Sequence, residues 1–219
     1  MNQETQLNPG AKTLTLVIDV QNDFLPGGSL AVAEGDQVIQ PLNQVIDATR
    51  AVGGIVIFSG DQHPAKTPHF DKWPPHCVVG SPGAQLAAKL DVRETDLIVA
   101  KGQGQTDGYS ALEGILESGD QTKVGQGLTE YLQQTKPNRI YIGGLATDYC
   151  VLNTVLDTLK IVSPATTVYL LKDAVKGVEL QFGDVAKALE TMQDAGAKLV
   201  TVASAITELK KMGGERDGE

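Results

Sequence analysis

Histidine is nearly absent from this chain, with three in 219 residues beside a single tryptophan and two cysteines. Two cysteines are too few for a disulfide framework, so Cys77 and Cys150 read as free thiols of a reduced, cytoplasmic protein. No apolar run approaches the roughly 18 residues that a membrane span needs. The polar opening MNQETQLNPGAK carries no targeting pattern. Basic runs are missing too, and the net charge is −9. An acidic surface argues against nucleic acid or anionic membranes as partners. With no linker, repeat or low-complexity tract, residues 1–219 read as one domain, with 1–12 and 213–219 expected as flexible ends.

What is present is a globular composition, 41% hydrophobic and 21% charged. Short apolar runs at 13–20, 54–60, 96–102, 139–146, 166–174 and 198–203 predict strands. Their nearly unbroken hydrophobicity suits strands covered on both faces. Amphipathic stretches at 36–52, 127–135, 147–160, 178–197 and 204–212 predict helices between them. In the first, Val38, Ile39, Leu42, Val45 and Ile46 fall at helical spacing. Alternation of this kind implies a three-layer α/β/α sandwich around a mostly parallel, doubly wound sheet. The glycine-rich stretch 102–123 reads as a functional loop with a short helix. Its GQGQTDG has the wrong spacing for a dinucleotide-binding loop.

Ligands of open parallel sheets bind outside the carboxyl ends of the strands. Asp19 ends the first run, Asp61 and His63 follow the second, Lys101 ends the third, and the fourth runs into GGLATDYC. All three histidines and the tryptophan lie in DQHPAKTPHFDKWPPHC, residues 61–77. Asp61 and His63 are two apart, so in extended chain their side chains share a face. A lone histidine reads first as a turn or surface residue. Three beside an aspartate form a mixed N/O set for a divalent metal, with Asp61, His63 and His76 the firmer members and His69 the less certain one.

Cys150 falls about one turn into a predicted helix. A helix N-terminus favours an anion and can supply oxyanion-binding N–H groups, so a depressed thiol pKa is expected. An isolated cysteine is otherwise a small buried hydrophobe. Asp19 could take the thiol proton, and Lys101 could hold Asp19 ionised and in place.

The segments VIDVQNDFLPGGSLAV, DQHP, WPPHCVVGSPGA, AKG, DGYSALEG, GGLATDYCV and DAVKGV occur in the order in which they occur in nicotinamidases. Over residues 13–203 the chain thus resembles these isochorismatase-like cysteine hydrolases. The resemblance implies hydrolysis of nicotinamide to nicotinate and ammonia, a step feeding NAD salvage, with pyrazinamide a second amide substrate. It implies a triad of Asp19, Lys101 and Cys150, and metal ligands Asp61, His63 and His76, with His69 a ligand in some members. One divalent ion is implied, zinc first and iron or manganese as alternatives. It further implies a cis peptide at Leu145–Ala146, an oxyanion hole from the N–H groups of Ala146 and Cys150, and aromatic walls from Phe24, Trp73 and Tyr109. Residues 117–127 are variable ground, and Cys77 matches a cysteine without nucleophilic role. A homo-oligomer is left open. Two alternatives remain at this point: a metal-free relative acting on a vinyl ether or carbamoyl compound, and a catalytically silent metal-binding protein on the same fold.

Overall fold

The computed structural model describes residues 12–104, 106–118 and 122–214. Among these, seven strands form one sheet: β1 (Thr13–Ile18), β2 (Ile55–Asp61), β3 (Leu97–Lys101), β4 (Ile115–Ser118), β5 (Arg139–Leu145), β6 (Thr167–Lys176) and β7 (Lys198–Val200). Their order is β4-β3-β2-β1-β5-β6-β7. Every pairing is parallel except β3 with β4. The helices are α1 (Ile39–Ala51), α2 (Leu128–Thr135), α3 (Leu152–Ile161), α4 (Asp184–Asp194) and α5 (Val202–Gly214).

The period-2 alternation of strands explains how both faces are covered. On β1, Leu14, Leu16 and Ile18 join a core with Leu128 of α2, Val155 of α3 and Met192 of α4. Val17 points the other way, into a core with Leu42 and Val45 of α1 and Leu209 of α5. These side chains are fully buried, each contributing about 1.5–3 kcal/mol of transfer free energy. Thr15, on the α1 face, satisfies its hydroxyl against Thr49 of α1 at 2.6 Å. The expected three-layer, doubly wound architecture is what forms.

Three details depart from the sequence-based expectation. The stretch 102–123 contains, besides its short 3-10 turn at Ala111–Glu113, the edge strand β4. Four residues of antiparallel edge leave too short a pattern to read. The last strand stops at Val200 because Val202 opens α5, its N–H bonded to the Asp173 carboxylate at 2.8 Å. Likewise α4 starts at Asp184 and not near 178, since Glu179 and Gly183 take left-handed φ of 53° and 97°. Of the expected flexible ends, 1–11 and 215–219 lie outside the described residues.

The chain leaves β1 for β2 on one side, while β5 lies on its other side. The crevice at the carboxyl ends of β1, β2, β3 and β5 is therefore the topological switch point where such sheets bind ligands.

Candidate active site

The β2–β3 register sets Asp61 directly against Lys101. The Lys101 ammonium lies 2.6 Å from Asp61 Oδ1, 2.9 Å from Asp19 Oδ2, 3.0 Å from the Gly108 carbonyl and 3.5 Å from Cys150 Sγ. Asp19, Asp61 and Cys150 offer donor atoms all within 4.8 Å of one another. All four side chains are buried. Asp19 follows β1 with a left-handed φ of 48°, a conformation aspartate tolerates better than most residues. Its Oδ1 accepts a hydrogen bond from Ser59 Oγ at 2.7 Å. Asp61 is fixed through its backbone by the Gln21 amide, which accepts its N–H at 2.8 Å and donates to its carbonyl at 2.9 Å.

Burial and charge divide the protons. Burial would strip Lys101 of its proton, but Asp19 and Asp61 outweigh it and hold the ammonium well above its ordinary range. Burial also opposes ionisation of Asp61; Lys101 and His63 overcome it and hold this carboxyl well below the usual carboxylate range. At Asp19 burial prevails over Lys101, and the neighbouring Asp61 charge adds to it, so its pKa is raised. Burial likewise pushes the Cys150 thiol up, more than the Lys101 ammonium draws it down. The expected depressed thiol is thus corrected. Cys150 sits in a five-residue π turn, Thr147–Val151, leading into α3, and removal from water outweighs any benefit of the helix end. A thiolate there depends on handing the proton to a neighbour.

Beside this group stand the three histidines, with ring nitrogens within 4.8 Å of one another. Each Nδ1 meets an acceptor: Gly102 O at 2.9 Å for His63, Asp107 Oδ1 at 3.1 Å for His69, and Pro74 O at 2.7 Å for His76. With the proton on Nδ1, each Nε2 presents a lone pair. Burial pushes the pKa of His69 and of His76 down, which favours the neutral ring. His63 Nε2 is buried without a hydrogen-bond partner, 3.6 Å from Asp61 Oδ2. An orphaned lone pair facing a carboxylate is costly alone and suits a cation between them. The residues present therefore fit one divalent metal held by three nitrogens and an oxygen. Gly102, at φ +72°, makes room for this packing, since a Cβ there would lie 2.6 Å from His63 Cε1.

A cavity of about 310 Å³, its open mouth included, has Asp61, His69, His76 and Cys150 at its base. Its walls are Trp73, Tyr109 and Tyr149, with Leu30 and Val178. The Trp73 indole N–H donates to the Tyr109 hydroxyl at 3.0 Å, and its ring meets Tyr149 edge-on at 5.0 Å. Phe24 is not among the wall residues; its ring backs His76 at 5.4 Å. The Leu145–Ala146 peptide is cis, and the Ala146 carbonyl accepts from the N–H groups of Tyr149 and Val151. Cys77 is buried at φ 44°, its thiol 3.8 Å from the Gly83 carbonyl.

Sequence reasoning passed over Ser59, Gln21, Tyr149 and Asp107. Ser59 left a signal, as a polar residue inside the apolar run GIVIFSG. Tyr149 left another, an aromatic beside the cysteine. Gln21 and Asp107 act across the fold and left none.

A doubly wound sheet that gathers a buried cysteine, two carboxylates and a lysine beside three imidazoles has the makings of a metal-assisted cysteine hydrolase. Residues 13–204 match the isochorismatase domain, and the chain belongs to the isochorismatase family. It is 36% identical to the nicotinamidase of Escherichia coli strain K12, over 86% of this chain and 94% of that one. Among solved structures, the pyrazinamidase of Pyrococcus horikoshii in complex with zinc is 36% identical, with a TM-score of 0.74 over 87% of this chain and 99% of that one. PnC1 from L. infantum in complex with nicotinate is 31% identical, with a TM-score of 0.73 over 91% and 96%.

Proposed function

We propose that this protein is a metal-dependent nicotinamidase, releasing ammonia from nicotinamide through a thioester on Cys150. The observation that carries the reading is that Cys150, in contact with Lys101, which also holds Asp19, lines a small aromatic-walled cavity together with Asp61, His69 and His76. A relative named nicotinamidase, a zinc-bound pyrazinamidase and a nicotinate complex support the choice of substrate and metal. The silent metal-binding alternative is disfavoured by the intact nucleophile group, and the metal-free one by the histidine cluster.

Asp61, His63 and His76, joined by His69, would hold one divalent ion, zinc before iron or manganese. When bound, it supplies a Lewis acid that anchors and orients a heteroaromatic nitrogen. Trp73, Tyr109 and Tyr149 enclose the ring, and Phe24 supports His76 from behind. The amide then lies over Cys150. Asp19 accepts the Sγ proton as sulfur attacks the carbonyl carbon, a transfer suited to its raised pKa. Backbone N–H groups of Ala146 and Cys150 receive the oxyanion, each contributing on the order of 3 kcal/mol. As the C–N bond breaks, Asp19 returns the proton to nitrogen and ammonia departs. A water then gives a proton to Asp19 and attacks the thioester; as the C–S bond breaks, Asp19 returns that proton to sulfur, and the acid released ionises to nicotinate. Lys101 stays charged throughout and keeps the two aspartates apart in role. Pyrazinamide places the same amide on a diazine and enters the same cavity.

In the cell this reaction would return nicotinamide to NAD salvage, in the cytoplasm. No helix among the described residues is long and apolar enough to cross a membrane. The test is ammonia release from nicotinamide by purified protein, before and after chelation. Release that chelation abolishes and added zinc, iron or manganese restores is expected. No release with any of these metals would reject the assignment.

A further inference from the structure

Of the three histidines, two are oriented by backbone carbonyls, Gly102 O for His63 and Pro74 O for His76. Mutation of a side chain cannot remove those acceptors. His69 differs. Its Nδ1 partner is a carboxylate, Asp107 Oδ1 at 3.1 Å, delivered from the loop that follows β3. The other oxygen, Oδ2, is held by Lys72 Nζ at 2.7 Å, and Lys72 lies one turn beyond His69 in the same segment. Asp107 thus grips residues 69–72 at two points. Its neighbours reach other parts of the site: the Gly108 carbonyl accepts from Lys101, and the Tyr109 hydroxyl accepts from Trp73.

A carboxylate that accepts Nδ1–H fixes the imidazole tautomer, orients the ring and raises the basicity of Nε2. The His69 ring is stacked on His63 with centroids 4.4 Å apart and planes 17° apart. That stacking by itself fixes the plane of the ring and not its rotation within the plane, and the hydrogen bond to Asp107 sets this rotation. His69 comes from a short 3-10 turn, Pro68–Asp71, whereas His63 is paired with Val78 in an isolated parallel bridge and His76 lies two residues before Val78.

We propose that Asp107 is the positioning residue that makes His69 a metal ligand, so that the ion is held by three imidazoles and Asp61 and not by two imidazoles and Asp61. The proposal rests on the metal-dependent reading above. It assigns Asp107 no contact with substrate or ion. Lys72, 63% exposed, serves only to occupy the second oxygen and contributes little by itself.

The experiment measures binding of Zn²⁺ and of Co²⁺, each alone, to metal-stripped protein by competition with a chromogenic chelator. The variants are Asp107→Ala, Asp107→Asn, His69→Ala and the double variant Asp107→Ala/His69→Ala. Asp107→Ala is expected to weaken binding about 10- to 100-fold. Asp107→Asn keeps an acceptor but not its charge and should lose less, roughly threefold or more on the same scale. The double variant should bind no more weakly than His69→Ala, because Asp107 acts through that ring. The Co²⁺ absorption spectrum of Asp107→Ala should match that of His69→Ala. Melting of the metal-free proteins reports any merely structural role, which would lower melting temperature and leave affinity additive. If Asp107→Ala does not fold, Asp107→Asn decides: threefold loss or more supports the proposal, and unchanged affinity overturns it. Wild-type binding that survives in Asp107→Ala, or additive losses in the double variant, overturn it as well. Failure of the unaltered protein to bind either metal would instead reject the metal-dependent reading itself.

Discussion

Asp61 and Lys101 face each other across adjacent strands, and their charged atoms are 2.6 Å apart in a site closed to water. Through this contact the histidine cluster and the cysteine share one electrostatic unit. Asp61 turns Oδ1 to the ammonium and Oδ2 toward His63. The same ammonium reaches Asp19 and Cys150.

Replacing Lys101 by methionine therefore leaves two buried carboxylates without their shared counter-charge. Loss of about 3–5 kcal/mol is expected, as for other broken buried pairs. In the variant the aspartates bind protons more tightly folded than unfolded, so its stability should rise as pH falls from 8 toward 5. Urea unfolding at several pH values checks this. A deficit that stays constant with pH would show that lost packing, and not charge, is responsible.

Cys150→Ala should lower ammonia release on the order of 10⁴-fold or more, as for nucleophiles of comparable hydrolases. Zinc affinity should hold within a few-fold, since the cysteine is not among the proposed ligands. Turnover near that of the unaltered protein would dismiss the thioester route.

The acid limb of kcat/KM should track Asp19. Its pKa is raised above the ordinary 3.8, chiefly by burial. Protonation removes the group that must accept the Sγ proton, so the rate falls as pH falls, and the fall begins above 3.8. The apparent pKa belongs to Asp19 and Cys150 jointly. Metal content measured at each pH separates this effect from metal release. Activity lost only in step with metal would contradict it.

Tyr109→Phe removes the acceptor of the Trp73 indole N–H and leaves the wall ring in place. A cost of about 1 kcal/mol is expected for the unpaired donor, seen as a roughly fivefold rise in KM with kcat within twofold. A fall in kcat at constant KM would place Tyr109 in the chemistry and not in the wall.

Much of this site was legible because each strand of a parallel sheet ends at the same rim. Asp19, Asp61 and Lys101 each close an apolar run, and that alone predicts their meeting. The histidine segment was legible by its composition. What escaped depends on distance in the fold. Gln21 acts on Asp61 forty residues away, and Asp107 acts on His69 from another loop. The state of Cys150 escaped for a different reason, since position at a helix start says nothing of how completely the thiol is shut off from water. Phe24 is aromatic and near the site, and only packing reveals that its ring meets His76.

The sheet also ends in its shortest strands, four residues at β4 and three at β7. The outer side of β4 is taken up by the returning chain, Leu116 exchanging hydrogen bonds with Gln126 and Gly125. Few free backbone groups thus remain for a second sheet to extend. Copies of this protein that associate are expected to do so through helices and loops, with the register of the β-strands untouched.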